Sequence, residues 1–394
     1  MNVPKLRFKE FKDEWQEYKV GEILKISNGI NKEKEFFGSG TPIINYMDVN
    51  KNELITHSVV RGLVIANSKE LKTYNVKKGD ILFTRTSETS DEIGLSSSVI
   101  ENIDKCIFSG FILKGTQTGN YIHPYFGGYY FRNPKMRKEI IKHSSITTRA
   151  LTSGSLLTQM LISMPSLNEQ EKIGKILLLL DKKIELQFKK IEDLKLFKKG
   201  LINSIEKNTE IEKIPLKNIL VEQNHKTIKN NEYEILSSTS KGIYLQKDYF
   251  NKPTASDNNV GYKILKKNQL VLSPQNLWMG NININSKYNI GIVSPSYKIF
   301  DINNNIDIDF FDYWIKSPKA LYEYKISSEQ GASIVRRNLN MDLFYEIKVD
   351  IPKGKMQNKL GKIIKLFNLK IQYNENSLQK LQELKKGLMQ NMFV

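Results

Sequence analysis

The sequence predicts an α+β protein: two similar mixed α/β domains separated by two long helices that pair as an antiparallel coiled coil, a dumbbell with pseudo-two-fold symmetry. The run LFKKGLINSI (Leu196 to Ile205) returns almost unchanged as ELKKGLMQNM (Glu383 to Met392). Each copy closes a stretch in which apolar residues recur at steps of three and four. Each stretch follows a region of short β-rich runs broken by turn residues roughly every ten positions. The expected division is a first domain over 1–165, a first spacer helix over 166–206, a second domain over 207–352 and a second spacer helix over 353–394.

The duplication holds well beyond one motif. Gly174 and Gly361 are 187 residues apart, as are Gly200 and Gly387, Pro165 and Pro352, and Arg149 and Arg336. Upstream the likeness continues with small shifts: KKGDILF (Lys77 to Phe83) against KKNQLVL (Lys266 to Leu272), and YYFRNPK (Tyr129 to Lys135) against YWIKSPK (Tyr313 to Lys319).

The helical stripe can be read residue by residue. Ile173, Leu177, Leu180, Ile184, Gln187, Ile191, Leu194, Lys198, Leu201 and Ile205 form one heptad seam. Leu360, Ile364, Phe367, Ile371, Asn374, Leu378, Leu381, Lys385, Leu388 and Met392 form its copy. Polar residues interrupt both seams at matching places, Gln187 with Asn374 and Lys198 with Lys385, and such interruptions fix register or orientation. A helix packed only on its own domain would show one such stripe; two in register favour mutual pairing. Because about 145 residues separate the helices, placing the domains apart requires them to run antiparallel. Some 33 residues at about 1.5 Å each span about 50 Å.

Composition sets the outer limits. With 394 residues, 40% hydrophobic and 26% charged, the chain has length for two or three domains at about 150 residues each and the balance of a globular protein. Its longest apolar run, around Ile176 to Leu180, falls far short of the roughly 20 residues that cross a bilayer, so no membrane association is expected. The N-terminal MNVPKLRFKEFKDEW alternates charge with aromatics and lacks the apolar centre of an export signal. The single Cys106 excludes an internal disulfide, and His57, His123, His143 and His225 lack metal-ligand spacing. A reducing cytoplasm and no metal of its own are the expectation.

A net charge of +18, from 60 Lys and Arg against 42 Asp and Glu, favours a polyanionic partner. A lysine-rich, AT-biased genome would give the same count. Arginine is therefore the sharper marker, with only eight residues, at positions 7, 61, 85, 132, 137, 149, 336 and 337.

The two halves differ at the ends of their predicted strands. Asn45 and Tyr46 face Ser237 and Ser238; TRTS (Thr84 to Ser87) faces PQNL (Pro274 to Leu277); SSITTRAL (Ser144 to Leu151) faces GASIVRRNL (Gly331 to Leu339). Flanking apolar residues match while these tips do not, which suggests two readers of different targets. Arginine grips guanine O6 and N7 bidentately, and Asn or Gln does the same for adenine. The candidate DNA-facing residues are Asn45, Tyr46, Thr84, Arg85, Thr86, Ser87, Thr147, Thr148 and Arg149 in the first half. In the second they are Ser238, Ser240, Lys241, Gln275, Asn276, Trp278, Ser333, Arg336, Arg337 and Asn338. For any one of them an ordinary polar loop tip is the alternative.

Two variable halves, each followed by a similar long helix, the helix start PSLNEQEKIG (Pro165 to Gly174), the Lys-Lys-Gly-Leu end and the opening PKLRFKEFKDEW together make a chain that resembles, over essentially its whole length, the specificity subunit of type I restriction-modification systems. The resemblance implies a non-catalytic reader of double-stranded DNA in a bacterial cytoplasm. Each half would be a target-recognition domain for one part of a bipartite sequence, and the helix pair a ruler between them. Two modification subunits carrying S-adenosylmethionine would dock on it and methylate adenine at N6; restriction subunits using ATP and Mg would join for cleavage. The second helix start, PKGKMQNKLG (Pro352 to Gly361), departs from the pattern in lacking the Glu169-Gln170 pair. The dimensions suit the role, since 10 to 10.5 base pairs occupy about 34–36 Å.

Motifs for chemistry within the chain are weak. FFGSG (Phe36 to Gly40) fits an S-adenosylmethionine pattern, but it follows a charged run and precedes Thr41-Pro42 and a predicted strand, where the motif requires a strand before it and a helix after it. Asn133-Pro134 is followed by Lys135, unlike the Asn-Pro-Pro-Tyr of an adenine methyltransferase, and no phosphate loop is present. A DNA reader fused to an unrecognised enzymatic activity, and a coiled-coil scaffold without DNA affinity, stay open as alternatives.

Overall fold

The computed structural model describes residues 3–146, 149–249, 258–330 and 337–394. The chain divides into two compact units, one of Met1–Lys189 with Asn376–Val394 and the other of Lys190–Glu375. Two long helices, Leu167–Lys207 and Lys355–Asn391, each contribute residues to both units.

The first unit is built on a five-stranded sheet ordered Leu24–Asn28, Ile112–Gln117, Ile81–Thr84, Ser96–Val99 and Leu54–Ile55. All neighbours are antiparallel except the last pair. The second unit repeats the frame with four strands, Leu220–Gln223, Lys298–Ile302, Leu270–Leu272 and Ile282–Ile284, all antiparallel. Each unit closes with a two-stranded ribbon, Gln16–Lys19 with Leu161–Met164 and Ile211–Pro215 with Lys348–Pro352. Each also carries two short helices in tandem, Pro124–Tyr130 and Pro134–Lys142 in one, Ile308–Trp314 and Pro318–Ile326 in the other. Their starts are set locally: Asn133 and Ser317 cap helices whose first residue is proline, where the missing N–H costs nothing.

The helix seams carry each unit's core. Ile173 and Leu177 are buried among Phe126, Tyr130 and Ile162 in the first unit, and Leu388 and Met389 pack on the same cluster. Leu360 and Ile364 are buried with Ile202, Phe311 and Tyr324 in the second. Within each unit the helices run antiparallel. In the second, Lys195 pairs with Glu375 at 3.1 Å while Lys198 donates to Asn368 at 2.6 Å, and the Phe197 and Phe367 rings lie 5.8 Å apart. In the first, Lys385 meets Asp181 at 2.6 Å. Every seam position named above is buried or half-buried, including Ile184, Gln187, Leu194, Leu201, Leu378 and Leu381. Near the first helix's end, however, the fully buried residue is Ile202 and not Leu201, as expected where an undistorted 3.6-residue turn drifts against a seven-residue repeat.

Lys198 and Lys385 answer for their places in the seam. Lys385 sits between Asp181 and Glu53 over the Tyr129 ring. Burial alone would lower its pKa, but the two carboxylates outweigh it and raise it. Lys198 lies over the corresponding Tyr313, but its helix partner is the neutral Asn368, and burial lowers its pKa. The same ammonium thus holds a charged clasp in one unit and a neutral one in the other.

The glycines repeated at the helix starts are required by close approach. A Cβ on Gly174 would stand 2.7 Å from the backbone of Tyr125 and Phe126, and one on Gly361 would stand 1.9 Å from the Asp307 carboxylate. Gly200 and Gly387 have nothing within 4 Å, so sterics do not account for them. Gly174→Ala should therefore destabilise the chain by about 1–3 kcal/mol through overpacking, whereas Gly387→Ala should stabilise it by about 0.5–1 kcal/mol through helix propensity. Thermal unfolding of the two variants checks this; equal shifts of the same sign would contradict it.

Candidate nucleic-acid interface

At the edge of each frame the structure draws together many of the differing tips. In the first unit, the Tyr46 hydroxyl reaches Glu92 at 3.4 Å, and the Thr84 hydroxyl donates to the Glu92 carbonyl while accepting from Leu95 N–H, both at 2.9 Å. Thr86–Ser87 forms a short strand paired with Ala150–Leu151, which pairs in turn with Ser145–Ile146. Thr152 N–H donates to the Arg85 carbonyl at 3.0 Å. Asn45–Tyr46, Thr84–Ser87 and the hairpin carrying Arg149 therefore share one end of the unit. Thr147 and Thr148 lie outside the described residues.

The roles within this set differ. Thr84 is 0% exposed and Ser87 is buried, so both hold the loop from within. Asn45 begins the Tyr46–Lys51 helix, with its own N–H bonded to Asp48 at 2.8 Å. Arg85 and Thr86 are half-buried, and Arg149 is exposed.

In the second unit, Ser238 is turned inward, its hydroxyl 2.8 Å from Asn281 Oδ1 and 2.9 Å from the Asn283 amide. Asn281 N–H reaches the Asn276 carbonyl at 3.3 Å, linking the start of the Ile282–Ile284 strand to the Gln275–Trp278 loop. Arg337 N–H donates to the Gln275 carbonyl at 3.1 Å. The Arg337 guanidinium donates to the Lys325 and Ser328 carbonyls at 3.0 and 3.2 Å and lies over the Trp278 ring at 5.4 Å. It pins two loops together. Ser240, Lys241, Gln275 and Asn338 are exposed beside them. Ser333 and Arg336 lie outside the described residues.

The other arginines sort by their bonds. Arg7 grips Glu169 with two contacts of 2.8 Å. Arg132 donates to the carbonyls of Ser96, Val49, Asn50 and Asn52. Arg137 donates to Asp91 and Ile93, and burial lowers its pKa to about 10. Arg61, like Arg149, is exposed. Sequence spacing did not single out Asn281, Asn283 or Glu92, which organise the loops; their signal is only three-dimensional.

The helix starts correct one expectation. Gln170 accepts His123 N–H at 2.8 Å and donates to the Tyr121 and Pro165 carbonyls. Its counterpart is Gln357, which accepts Asp307 N–H at the matching short-helix start. The Gln half of the pair is present in both helices. Only the Glu half is missing, with Met356 in its place; in the first unit Glu169 is the carboxylate that Arg7 grips.

FFGSG ends in a strand. Phe37–Ile44 pairs with Gly62–Val64 on one side and Ile107–Phe108 on the other, with Gly38 and Gly40 at positive φ. Gly40 lets the Val64 carbonyl approach to 2.5 Å of where a Cβ would stand. Burial lifts the Cys106 thiol to about 12, which leaves it unreactive. Among the described residues no three His, Cys, Asp or Glu side chains group as metal ligands, and no helix is long and apolar enough to cross a membrane.

Residues 12–196 match the family model described as type I restriction modification DNA specificity domain. A protein of Methanocaldococcus jannaschii assigned as the MjaX type I restriction enzyme specificity subunit is 24% identical over 98% of this chain and 95% of its own. The crystal structure of a type I restriction-modification S subunit from M. genitalium matches with a TM-score of 0.63 at 16% identity, covering 100% of this chain and 99% of that one. A chain solved in work on complex assembly and conformational transition of the type I R-M system matches with a TM-score of 0.50 at 10% identity, over 95% and 96%. These two structures share the fold. The first half of the chain thus matches the type I restriction modification DNA specificity domain, and the chain as a whole is similar to type I restriction enzyme specificity subunits.

Proposed function

We propose that each unit reads one half of a bipartite DNA target and that the two long helices set the unspecified spacer between the halves. The observation that carries this reading is the repeated strand order with unlike tips: at the end of corresponding strands Thr84-Arg85-Thr86-Ser87 stands against Ser273-Pro274-Gln275-Asn276, one residue earlier than the sequence pairing with Pro274 to Leu277. Thr84, Ser87 and Ser238 shape the loops from inside, and exposed or half-exposed Arg85, Arg149, Gln275 and Asn338 meet DNA.

The helices also scaffold two adenine-N6 methyltransferase subunits. Outside their seams they expose apolar side chains: Leu186, Phe188 and Leu196 on the first, and Leu366, Leu369 and Tyr373 on the second, with Leu196 71% and Tyr373 75% exposed. These exposed apolar groups support a docking role for the helices. Lys183 and Lys190 lie on the same helix, whereas Lys195 is engaged by Glu192 and Glu375. In this reading S-adenosylmethionine belongs to the modification subunits, ATP and Mg to the restriction subunits, and the assembly works in the cytoplasm. Titrating the assembled methyltransferase complex with duplexes in which either half-site is scrambled tests the proposal: scrambling either half should reduce specific binding, and indifference to one half would contradict it.

A further inference from the structure

The sheet of the first unit ends in a pair of side chains suited to reading two neighbouring bases. Thr84 and Ile112 form the last rung between the Ile81–Thr84 and Ile112–Gln117 strands. One step outward, Arg85 N–H donates to the Phe111 carbonyl at 2.9 Å. Directly opposed residues of an antiparallel pair leave the same face of the sheet with Cβ atoms about 4.5–5.5 Å apart. Alternation places the Phe83–Leu113 rung on that face two residues inward. Those two are buried in the core, whereas Phe111, continuing their row, is 61% exposed.

Phe111 is also held firmly. Ile112 N–H donates to the Ser109 carbonyl at 3.0 Å, Ser109 N–H to Ile44 at 3.0 Å, and Gly110 N–H to Ile30 at 2.7 Å. The Arg85 guanidinium reaches the Gly110 carbonyl at 3.5 Å, which keeps the cation beside the ring's own turn. The second unit has Pro274 and Ser296 at the corresponding rung, so the pair belongs to the tips and not to the common frame. An aromatic ring rigidly presented beside a cation on a strongly basic chain fits the edge of a base pair: guanidinium to guanine, ring to the thymine methyl group.

We propose that Phe111 is a specificity-determining residue whose ring meets the 5-methyl group of a thymine next to the base contacted by Arg85. This rests on the reading of the first unit as a half-site reader. The test uses the assembled methyltransferase complex and cognate duplexes in which each thymine of the half-site is replaced in turn by deoxyuridine, removing only the methyl group. One replacement should weaken binding by the parent about fourfold. Phe111→Ala should abolish that difference without changing the salt slope or discrimination in the other half-site, while Phe111→Leu should retain part of it. If no deoxyuridine replacement matters to the parent, or if Phe111→Ala weakens all duplexes alike, this proposal is overturned while the half-site reading stands. If the parent does not discriminate in that half-site at all, the reading and the proposal fall together.

Discussion

Seven residues inserted after Lys190 and seven after Ser377 should leave both half-sites unchanged and lengthen the spacer between them by about three base pairs. Each heptad adds about 10 Å of helix, close to the rise of three base pairs at 34–36 Å per turn. The insertion points lie beside the divisions between the units, at Lys189/Lys190 and Glu375/Asn376. A whole heptad preserves the seam on either side, including the pairing of Lys195 with Glu375 and of Lys385 with Asp181. An insertion in one helix alone should displace those partners and impair the protein. Methylation-site mapping of the double insertion decides the matter, and retention of the original spacer would refute the ruler.

Arg85→Ala should remove discrimination in one half-site and leave the other intact. A bidentate arginine–guanine contact is worth about 1–3 kcal/mol, or roughly 5- to 150-fold in binding. The exposed Arg149 on the paired hairpin is the natural phosphate clamp: Arg149→Ala should weaken all sequences alike and lower the salt slope by about one. Arg337 is different. Its guanidinium is bonded to the Lys325 and Ser328 carbonyls, so Arg337→Ala should loosen the second unit's loops and lower affinity for that half-site as a whole. Binding to cognate and half-mismatched duplexes at two salt concentrations separates the three behaviours. If Arg85→Ala discriminates as the parent does, this loop is not a base reader.

The repeated elements were the most legible part of the sequence. Heptad spacing depends on a local period, so the positions it marks, Lys198 and Lys385 among them, are all buried or half-buried, although near the first helix's end the fully buried residue is Ile202. What those lysines hold was not legible, because Glu53 and Tyr129 approach Lys385 from distant parts of the chain. The helix-start glycines showed their importance through repetition, but the reason, contact with Tyr125 and Asp307, is tertiary. Site residues were harder. Thr84 and Arg85 are neighbours in sequence, yet Thr84 is the last buried residue of its strand and Arg85, one step past the sheet's edge, is half-buried, and Ser238 turns inward to bond Asn281 and Asn283. Phe111 carried no sequence signal at all: a phenylalanine after Ser-Gly reads as core until the sheet's edge is located.

If one chain carries two readers at a fixed separation, sequencing N6-methyladenine in a strain that expresses it with its modification subunit will show it. The expected result is a single split motif: two short specified parts, a spacer of constant length, and a methylated adenine in each part. A continuous motif, a motif with only one specified part, or methylation that is unchanged when this chain is deleted would contradict it.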